Sequence, residues 1–224
     1  MKSALLIHGA GGGGWEWNLW RGVFAARGLQ AHAPDLQSSP AGVQATVFED
    51  YVAQVRDALR TLPRPRALIG ASLGGLLAAF TADEADALVL INPLPPAPFH
   101  EGLPHRAWPD VVPWRRDARL ASTRKSMPDA NDASALYAFR RWRDESGAAM
   151  RAAQAGIAVA KPLCRVLCLV SEDDEDVPAA TTLALAAAWR ADVIRLPAAG
   201  HVAPLLGASA IDAARQSMAW LSAR

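Results

Sequence analysis

A serine, a histidine and a group of acids follow three different apolar segments of the sequence, and together they could perform nucleophilic catalysis. Ser72 is the centre of the segment Gly-Ala-Ser-Leu-Gly at 70–74, which joins an apolar run at 67–69 to another at 73–80. This order predicts a strand, a sharp turn and a buried helix. A turn so tight requires small residues two positions before and after the serine, and the two glycines meet that requirement. We therefore expect Ser72 to expose its hydroxyl at the N-terminus of a helix.

The base and the acid that such a serine needs have candidates after two later strands. A serine hydroxyl is a poor nucleophile at its own pKa, so it requires a base, and the base requires an acid that orients it. His201 follows the last predicted strand, 193–196, and an acidic segment at 171–178 follows the predicted strand 164–170. The candidate acids in that segment are Asp173, Asp174 and Asp176. Serine, acid and histidine in this order predict a serine hydrolase.

The elements that must position these groups alternate between strands and helices. Helical spacing of Trp17, Trp20 and Phe24 predicts a first helix with its apolar face in a core. Thr46 and Glu49 have the spacing of a capping box, which predicts the start of a second helix. The predicted strands are 3–7, 30–33, 67–69, 87–91, 164–170 and 193–196. This alternation predicts an α/β fold with a mostly parallel sheet that helices cover on both faces.

One segment, 92–161, interrupts the alternation. It contains eight of the 16 prolines in the chain and one predicted helix, from Asp132 to about Ala155. We therefore expect a core formed by residues 1–91 and 162–224, with 92–161 inserted across the carboxyl ends of the strands.

With these features the chain resembles the α/β-hydrolase family over nearly its whole length. The insertion stands where that family carries its helical cap. In the family the acid lies three residues before Val-Pro in a Gly-x-x-Asp-x-x-Val-Pro pattern, so the resemblance implies Asp174, although Ser171 replaces the glycine of the pattern. Two N-terminal strands of larger members are absent here. The resemblance therefore implies a compact α/β-hydrolase fold with about six mostly parallel strands.

The resemblance also implies an oxyanion hole and a reaction. The segment His-Gly-Ala at 8–10 is similar to the oxyanion loop of the family, and the N–H groups of Ala10 and Leu73 would hold the oxyanion. Ser72 would cleave an ester, or a related acyl bond, of a small-molecule substrate through an acyl-enzyme. A lyase, or a hydrolase of thioesters, lactones or carbon–carbon bonds, remains an alternative on the same residues. No metal and no organic cofactor is implied.

We expect an apolar substrate pocket lined by aromatic and other apolar side chains. Candidates from the first loop and from the insertion are Trp15, Trp17, Phe99, Trp108, Trp114, Met127 and Trp142.

A dinucleotide site is the main alternative from another functional class. Gly9, Gly11 and Gly14 match the Gly-x-Gly-x-x-Gly fingerprint after a strand, and Asp35 lies about twenty residues further on. This pattern would predict an NAD(P)-binding oxidoreductase. Bulky tryptophans directly after Gly14 disfavour it, and it leaves the serine, acid and histidine unexplained. A binding module without activity is disfavoured because none of those three groups is missing.

Composition excludes several classes of partner and location. The 224 residues are 51% hydrophobic with a net charge of +1, so nothing predicts nucleic-acid binding. The sequence contains neither a signal-peptide core nor an apolar stretch of membrane-spanning length, so no membrane association is expected. Cys164 and Cys168 would lie about 13 Å apart in one strand, too far for a disulfide. Free thiols are compatible with a cytoplasmic protein. The sequence leaves the oligomeric state open.

Overall fold

The computed structural model describes residues 1–223 and contains one six-stranded parallel sheet. Its strand order is β2-β1-β3-β4-β7-β8. The strands are β1 (Ser3–Ile7), β2 (Gln30–His32), β3 (Arg66–Ala71), β4 (Ala87–Ile91), β7 (Arg165–Ser171) and β8 (Asp192–Leu196). The predicted fold class, with about six parallel strands, is confirmed.

Helices cover both faces of this sheet. The described residues form nine α-helices, which are α1 (Asn18–Ala25), α2 (Phe48–Arg60), α3 (Leu73–Phe80), α4 (Leu120–Ser126), α5 (Asp132–Phe139), α6 (Gly147–Ala155), α7 (Ala179–Trp189), α8 (Ala203–Leu206) and α9 (Ala210–Ser222). Helices α2, α3, α6 and α7 pack on one face of the sheet, and α1, α8 and α9 pack on the other. None of the described helices is both long enough and apolar enough to cross a lipid bilayer.

Alternating side chains of the central strands enter two separate cores, which is why these strands are apolar throughout. In β1, Leu5 and Ile7 join the core beneath α2 and α3, whereas Ala4 and Leu6 join the core beneath α1 and α9. The predicted aromatic face of α1 lies in the second core. Trp17, Trp20 and Phe24 are fully buried, and their rings contact one another edge to face.

The register of the parallel strands places four loops side by side at the carboxyl edge of the sheet. Ala71 at the end of β3 pairs with Ile91 at the end of β4, and Ser171 at the end of β7 pairs with Leu196 at the end of β8. Because the strands are parallel, the loops that follow them emerge at the same edge. The segments that carry Ser72, Asp174 and His201 are therefore brought together.

The segment between β4 and β7 differs from the prediction of one long helix, Asp132–Ala155. Helices α5 and α6 are separate, and residues 140–146 cross between them. Within this crossing, β6 (Glu145–Ser146) pairs antiparallel with β5 (Val111–Val112). The prediction was wrong because this stretch, although rich in helix-forming residues, makes its hydrogen bonds to distant parts of the chain. Ser146 then starts α6 by accepting a hydrogen bond from the N–H of Ala149.

The start of α2 also differs from the prediction. Thr46 does not cap the helix, because its hydroxyl accepts from the N–H of Ser39 and donates to the carbonyl of Gly42. The helix begins two residues later, and Asp50 instead accepts a hydrogen bond from the N–H of Val47. The predicted capping box of Thr46 and Glu49 was wrong because the Thr46 hydroxyl forms its hydrogen bonds within the loop before the helix.

Candidate active site

Ser72 occupies a strained turn between β3 and α3. Its backbone has φ 52° and ψ −122°, a conformation that residues with a Cβ rarely adopt. A Cβ at position 70 would lie 2.1 Å from the carbonyl oxygen of Gly74, and one at position 74 would lie 2.3 Å from the carbonyl oxygen of His8. The two glycines that the sequence predicted as necessary are therefore required by direct contact.

Asp174 and His201 form a hydrogen-bonded pair beside this turn. His201 Nδ1 lies 2.7 Å from Asp174 Oδ2, and the aspartate is buried. The other carboxylate oxygen, Oδ1, accepts from the N–H groups of Asp176 and Val177 at 2.8 and 2.9 Å. These two bonds fix the carboxylate, so its remaining oxygen faces the imidazole. Asp173 is exposed, and Asp176 pairs with Arg106 at 2.6 Å.

The charge around His201 favours its protonated form. Burial by itself lowers the pKa of His201, but the charge and hydrogen bond of Asp174 raise it, with smaller contributions from Asp176 and, when it is ionised, from Glu16. The net result is a pKa above the usual value of 6.5. A raised pKa suits an imidazole that accepts a proton from a hydroxyl during a reaction.

Asn92, which sequence reasoning did not select, holds the histidine loop in place. Its side-chain amide donates to the carbonyl oxygen of His201 and to Ser171 Oγ, both at 2.8 Å, and its carbonyl accepts from the N–H of Ser171. Asn92 has φ 42°, in the left-handed region that asparagine tolerates better than most residues. Ser171, which departs from the glycine of the family pattern, is thus a hydrogen-bond partner within the site.

The loop after β1 lies next to Ser72. A Cβ at position 9 would lie 3.1 Å from Ser72 Cβ, so Gly9 allows this close approach. Within the described residues, the N–H groups of Ala10 and Leu73 donate to no protein acceptor. Leu73 is the first residue of α3, where an N–H has no partner within the helix. Both groups are therefore available to a ligand oxygen.

Two residues of segment 140–146, between α5 and α6, form hydrogen bonds that hold the loop after β1. Glu145 Oε2 accepts from the N–H of Gly11 at 2.9 Å, and its other oxygen accepts from the hydroxyl of Tyr51. Arg143 donates from its backbone N–H to the carbonyl of Gly11 at 2.8 Å and from Nε to the carbonyl of Gly12 at 2.6 Å. The sequence showed no signal for these residues beyond their charge.

His8 completes the same network as a neutral side chain. Its Nε2 accepts from the N–H of Leu36 at 2.9 Å and from the guanidinium of Arg143 at 3.1 Å, while Nδ1 lies 2.7 Å from the carbonyl oxygen of Gly9. Burial, more than any other influence, lowers the pKa of His8 to about 4. His8 is therefore a structural residue of the loop and does not supply a base.

A cavity of about 770 Å³ opens above Ser72 and His201. Three of the predicted pocket tryptophans, Trp108, Trp114 and Trp142, line it together with Leu94, Val112, Met150 and Leu205. The charged residues Arg106, Lys125, Glu175 and Asp176 also line it. Segment 92–161 therefore supplies much of the apolar wall.

The other predicted pocket residues do not line the cavity. Trp17 is fully buried against Trp20 in the core, because the helical spacing that also marked it as a core residue turns it away from the site. Trp15 lies behind Trp142, with the ring centres 5.3 Å apart. Phe99 and Met127 are taken up by the two hydrophobic cores. These four residues therefore lie outside the lining of this cavity.

Ser72 and His201 both face the cavity, but no hydrogen bond joins the serine hydroxyl to the imidazole in the described part of the chain. Contacts of this kind are often long without substrate and shorten in the reacting complex. The chemistry open to this arrangement is attack by a serine hydroxyl with general-base assistance.

The same residues fit a metal ion poorly. Asp174, Asp176 and His201 have ligand atoms within 4.8 Å of one another. However, a direct hydrogen bond already joins Asp174 to His201, and the guanidinium of Arg106 pairs with Asp176. A metal site would require these groups to be deprotonated and to point at one common position, whereas here they are bonded to one another or to Arg106.

The glycine-rich loop after β1 uses its glycines and Asp35 differently from a dinucleotide-binding site. Asp35 accepts a hydrogen bond from the N–H of Gly14 at 2.7 Å, so its carboxylate holds the loop. A Cβ at position 14 would lie 2.1 Å from the carbonyl oxygen of Ala33. The loop continues into a short 3₁₀ turn, Gly14–Trp17, before α1.

Sequence comparison agrees with this geometry, since the profile described as the alpha/beta hydrolase family matches residues 4–214. The chain belongs to the alpha/beta hydrolase family. Membership favours the hydrolase interpretation over the dinucleotide one. No curated protein matches the sequence significantly.

Solved structures of similar fold include several hydrolases. A pyrethroid hydrolase from Sphingobium faniae JZ-2 is 20% identical with a TM-score of 0.75, and the match covers 99% of this alpha/beta hydrolase and 98% of that chain. Polyneuridine aldehyde esterase is 16% identical with a TM-score of 0.76, covering 97% and 99%. A methylesterase from Arabidopsis is 16% identical with a TM-score of 0.75, covering 99% of both chains. At these identities the likeness establishes the fold.

Proposed function

We propose that this protein is a serine hydrolase that cleaves a carboxylic ester, or a related acyl bond, of a small substrate through an acyl-enzyme on Ser72. The observation that carries the proposal is the 2.7 Å hydrogen bond between His201 and a fixed, buried Asp174. His201 lines the same cavity as Ser72. Two of the similar structures are named as an esterase and a methylesterase, which agrees with an ester as the substrate class.

In the proposed reaction, Ser72 Oγ attacks the acyl carbon while His201 takes the hydroxyl proton. The electron pair of the carbonyl moves onto its oxygen, which accepts hydrogen bonds from the N–H groups of Ala10 and Leu73. When the carbonyl re-forms, the bond to the leaving alkoxide breaks and His201 protonates the alkoxide. Water then attacks the acyl-enzyme with His201 as base, and the acid is released with Ser72 regenerated. Asp174 keeps the proton of His201 on Nδ1 and stabilises the imidazolium.

Segment 92–161 acts in this proposal as a cap over the site. It contributes the three tryptophans of the cavity wall, and these exclude water from the acyl group. The proposed partner is therefore a small acyl compound with an apolar part.

Covalent labelling tests the proposal directly. A fluorophosphonate probe should add to Ser72 and to no other serine, as identified by mass spectrometry of the digested protein. A panel of p-nitrophenyl esters of graded chain length should be hydrolysed by wild type, and Ser72→Ala should abolish this activity. Ser38→Ala, which changes a serine of an exposed loop, serves as the matched control. Ester hydrolysis that survives Ser72→Ala would refute the proposed mechanism.

A further inference from the structure

Glu16 is a buried acidic side chain of the cavity for which the proposed reaction has no role. It belongs to the 3₁₀ turn Gly14–Trp17 directly after the oxyanion loop, and only 2% of its surface is exposed. It lines the same cavity as Ser72 and His201, whereas the tryptophans on either side of it point away from that cavity. A glutamate between two tryptophans in a surface loop would ordinarily extend into water.

One carboxyl oxygen of Glu16 lacks the hydrogen-bond partner that a buried acid usually has. Its Oε2 is fully buried and has no hydrogen-bond partner within the described residues, and no ion pair there includes Glu16. A Cβ at position 12 would lie 2.4 Å from Oε2, so the carboxyl occupies space that only a glycine leaves free. Burial of an unpartnered polar atom costs free energy, and such atoms are common where a ligand supplies the missing partner.

The surroundings of Glu16 hold it in the neutral form. Burial raises the pKa of Glu16 to about 8, and the backbone of Gly9 and Gly13 and the positive charges of His201 and Arg143 only partly oppose this. At pH 7 the group is therefore a carboxylic acid with one O–H donor.

We propose that Glu16 is a substrate-binding residue whose carboxyl group donates a hydrogen bond to an acceptor oxygen of the acyl substrate beside Ser72. This inference rests on the proposed serine-hydrolase function. The proton remains on Glu16 throughout, and no bond forms or breaks at this residue. A neutral acid can stabilise negative charge on a substrate oxygen, whereas a carboxylate would repel it. An ionised Glu16 would also raise the pKa of His201 and withdraw the neutral imidazole that the reaction needs.

Two substitutions of similar size distinguish a role of Glu16 as a hydrogen-bond donor from an effect of its charge. Glu16→Gln keeps an N–H donor and cannot ionise, whereas Glu16→Leu removes the donor. We expect Glu16→Leu to lower kcat/KM by about 10- to 100-fold, because it removes a hydrogen-bond donor to a substrate oxygen. Glu16→Gln keeps a donor and should lower kcat/KM clearly less. In wild type, kcat/KM should fall as pH rises through about 8 because Glu16 ionises, and this fall should be absent in Glu16→Gln. Glu49→Gln on the exposed face of α2 is the control.

The outcomes distinguish this proposal from the function on which it rests. If wild type neither reacts with the fluorophosphonate nor hydrolyses esters, the proposed function itself is wrong. If wild type is active, the Glu16 proposal is refuted by equal kcat/KM values for the two variants, or by an unchanged fall at high pH in Glu16→Gln. It is also refuted if kcat/KM rises through pH 8 in wild type but not in Glu16→Gln, since that would mean that the carboxylate of Glu16 is the active form. Thermal melting of both variants identifies a loss that comes from misfolding.

Discussion

The carboxylate of Glu145 accepts a hydrogen bond at 2.9 Å from the backbone N–H of Gly11, a residue 134 positions earlier in the chain. Gly11 follows Ala10, which lines the cavity, and the second oxygen of Glu145 accepts a hydrogen bond from the hydroxyl of Tyr51. The inserted segment 92–161 therefore does more than cover the site. It also holds the loop on which the proposed oxyanion hole depends.

Removal of this contact should impair both stability and catalysis. Glu145→Ala leaves buried donors of Gly11 and Tyr51 without an acceptor, so we expect the free energy of unfolding to fall by about 2–4 kcal/mol. Because the loop would then shift, kcat should fall by about tenfold or more while KM changes less. Urea denaturation and ester kinetics measure the two effects. Glu49→Ala, an exposed glutamate of α2, should change neither, and wild-type values for Glu145→Ala would refute the role of the contact.

The acid of the proposed triad is tested by three matched substitutions. Asp174→Asn should lower kcat by about 10⁴-fold, because an amide at this position favours the wrong histidine tautomer. Asp173→Asn changes an exposed side chain and should remain near wild type. Asp176→Asn removes one of the smaller charges that raise the pKa of His201, so it should shift the pH profile to lower pH with little loss of kcat. A large loss of kcat in either control would mean that the acid has been assigned to the wrong residue.

Asn92 should prove necessary for the position of His201. Asn92→Ala removes the bonds to Ser171 and to the His201 carbonyl and also places an alanine at φ 42°, so it should reduce kcat/KM by about tenfold and lower the melting temperature. Asn92→Gly removes the same bonds without strain and should recover part of the melting temperature but none of the activity. Equal melting temperatures for the two variants would mean that backbone strain contributes nothing at this position.

The activity should rise with pH through the pKa of His201. His201 must be neutral to act as base, and its pKa is raised, so the midpoint of the rise in kcat/KM should lie above 6.5. The apparent values belong jointly to His201 and Glu16, because their charges interact. EDTA and NAD(H) should leave the profile unchanged. A requirement for either would support a metal or dinucleotide mechanism instead.

Stability should depend on pH through Glu16. Its pKa is raised from 4.5 to about 8 in the folded protein, so the folded state binds the proton more tightly than the unfolded state. The free energy of unfolding should therefore be highest below pH 4.5 as far as this group is concerned, and should decline as pH rises toward 8. Denaturation of wild type and Glu16→Gln across this range measures the contribution. A pH-independent difference between the two proteins would contradict the burial of an ionisable Glu16.

Short acyl chains should be preferred over long ones. Besides its apolar wall, the cavity is lined by two charge pairs, Arg106 with Asp176 and Lys125 with Glu175, and a long chain would have to displace water from these charges. We expect kcat/KM for a butyrate ester to exceed that for a palmitate ester by about tenfold or more, when both are assayed below the micelle concentration. The opposite preference would show that the cap opens for long chains.

Much of the fold follows from local sequence, because local sterics and periodicity determine it. The β4 prediction, 87–91, matches the structure, and Gly70 is required by a contact with Gly74 within the turn that carries Ser72. The parallel sheet follows from the alternation of strands and helices, and the resemblance to the family rests on the serine, acid and histidine in their order. The acidic and histidine loops could be located as well, since parallel strands deliver their following loops to one edge.

Tertiary structure alone decided which side chains meet in the cavity. Trp17 and Trp142 look equivalent in sequence, but tertiary packing places Trp17 in the core and Trp142 on the cavity wall. The sequence 140–146 favours helix locally, yet bonds from Arg143 and Glu145 to the loop after β1 override that preference. The burial of Glu16 likewise depends on the space beside Gly12. Backbone periodicity is encoded locally, whereas the direction, burial and charge of each side chain depend on neighbours that are far away in the chain.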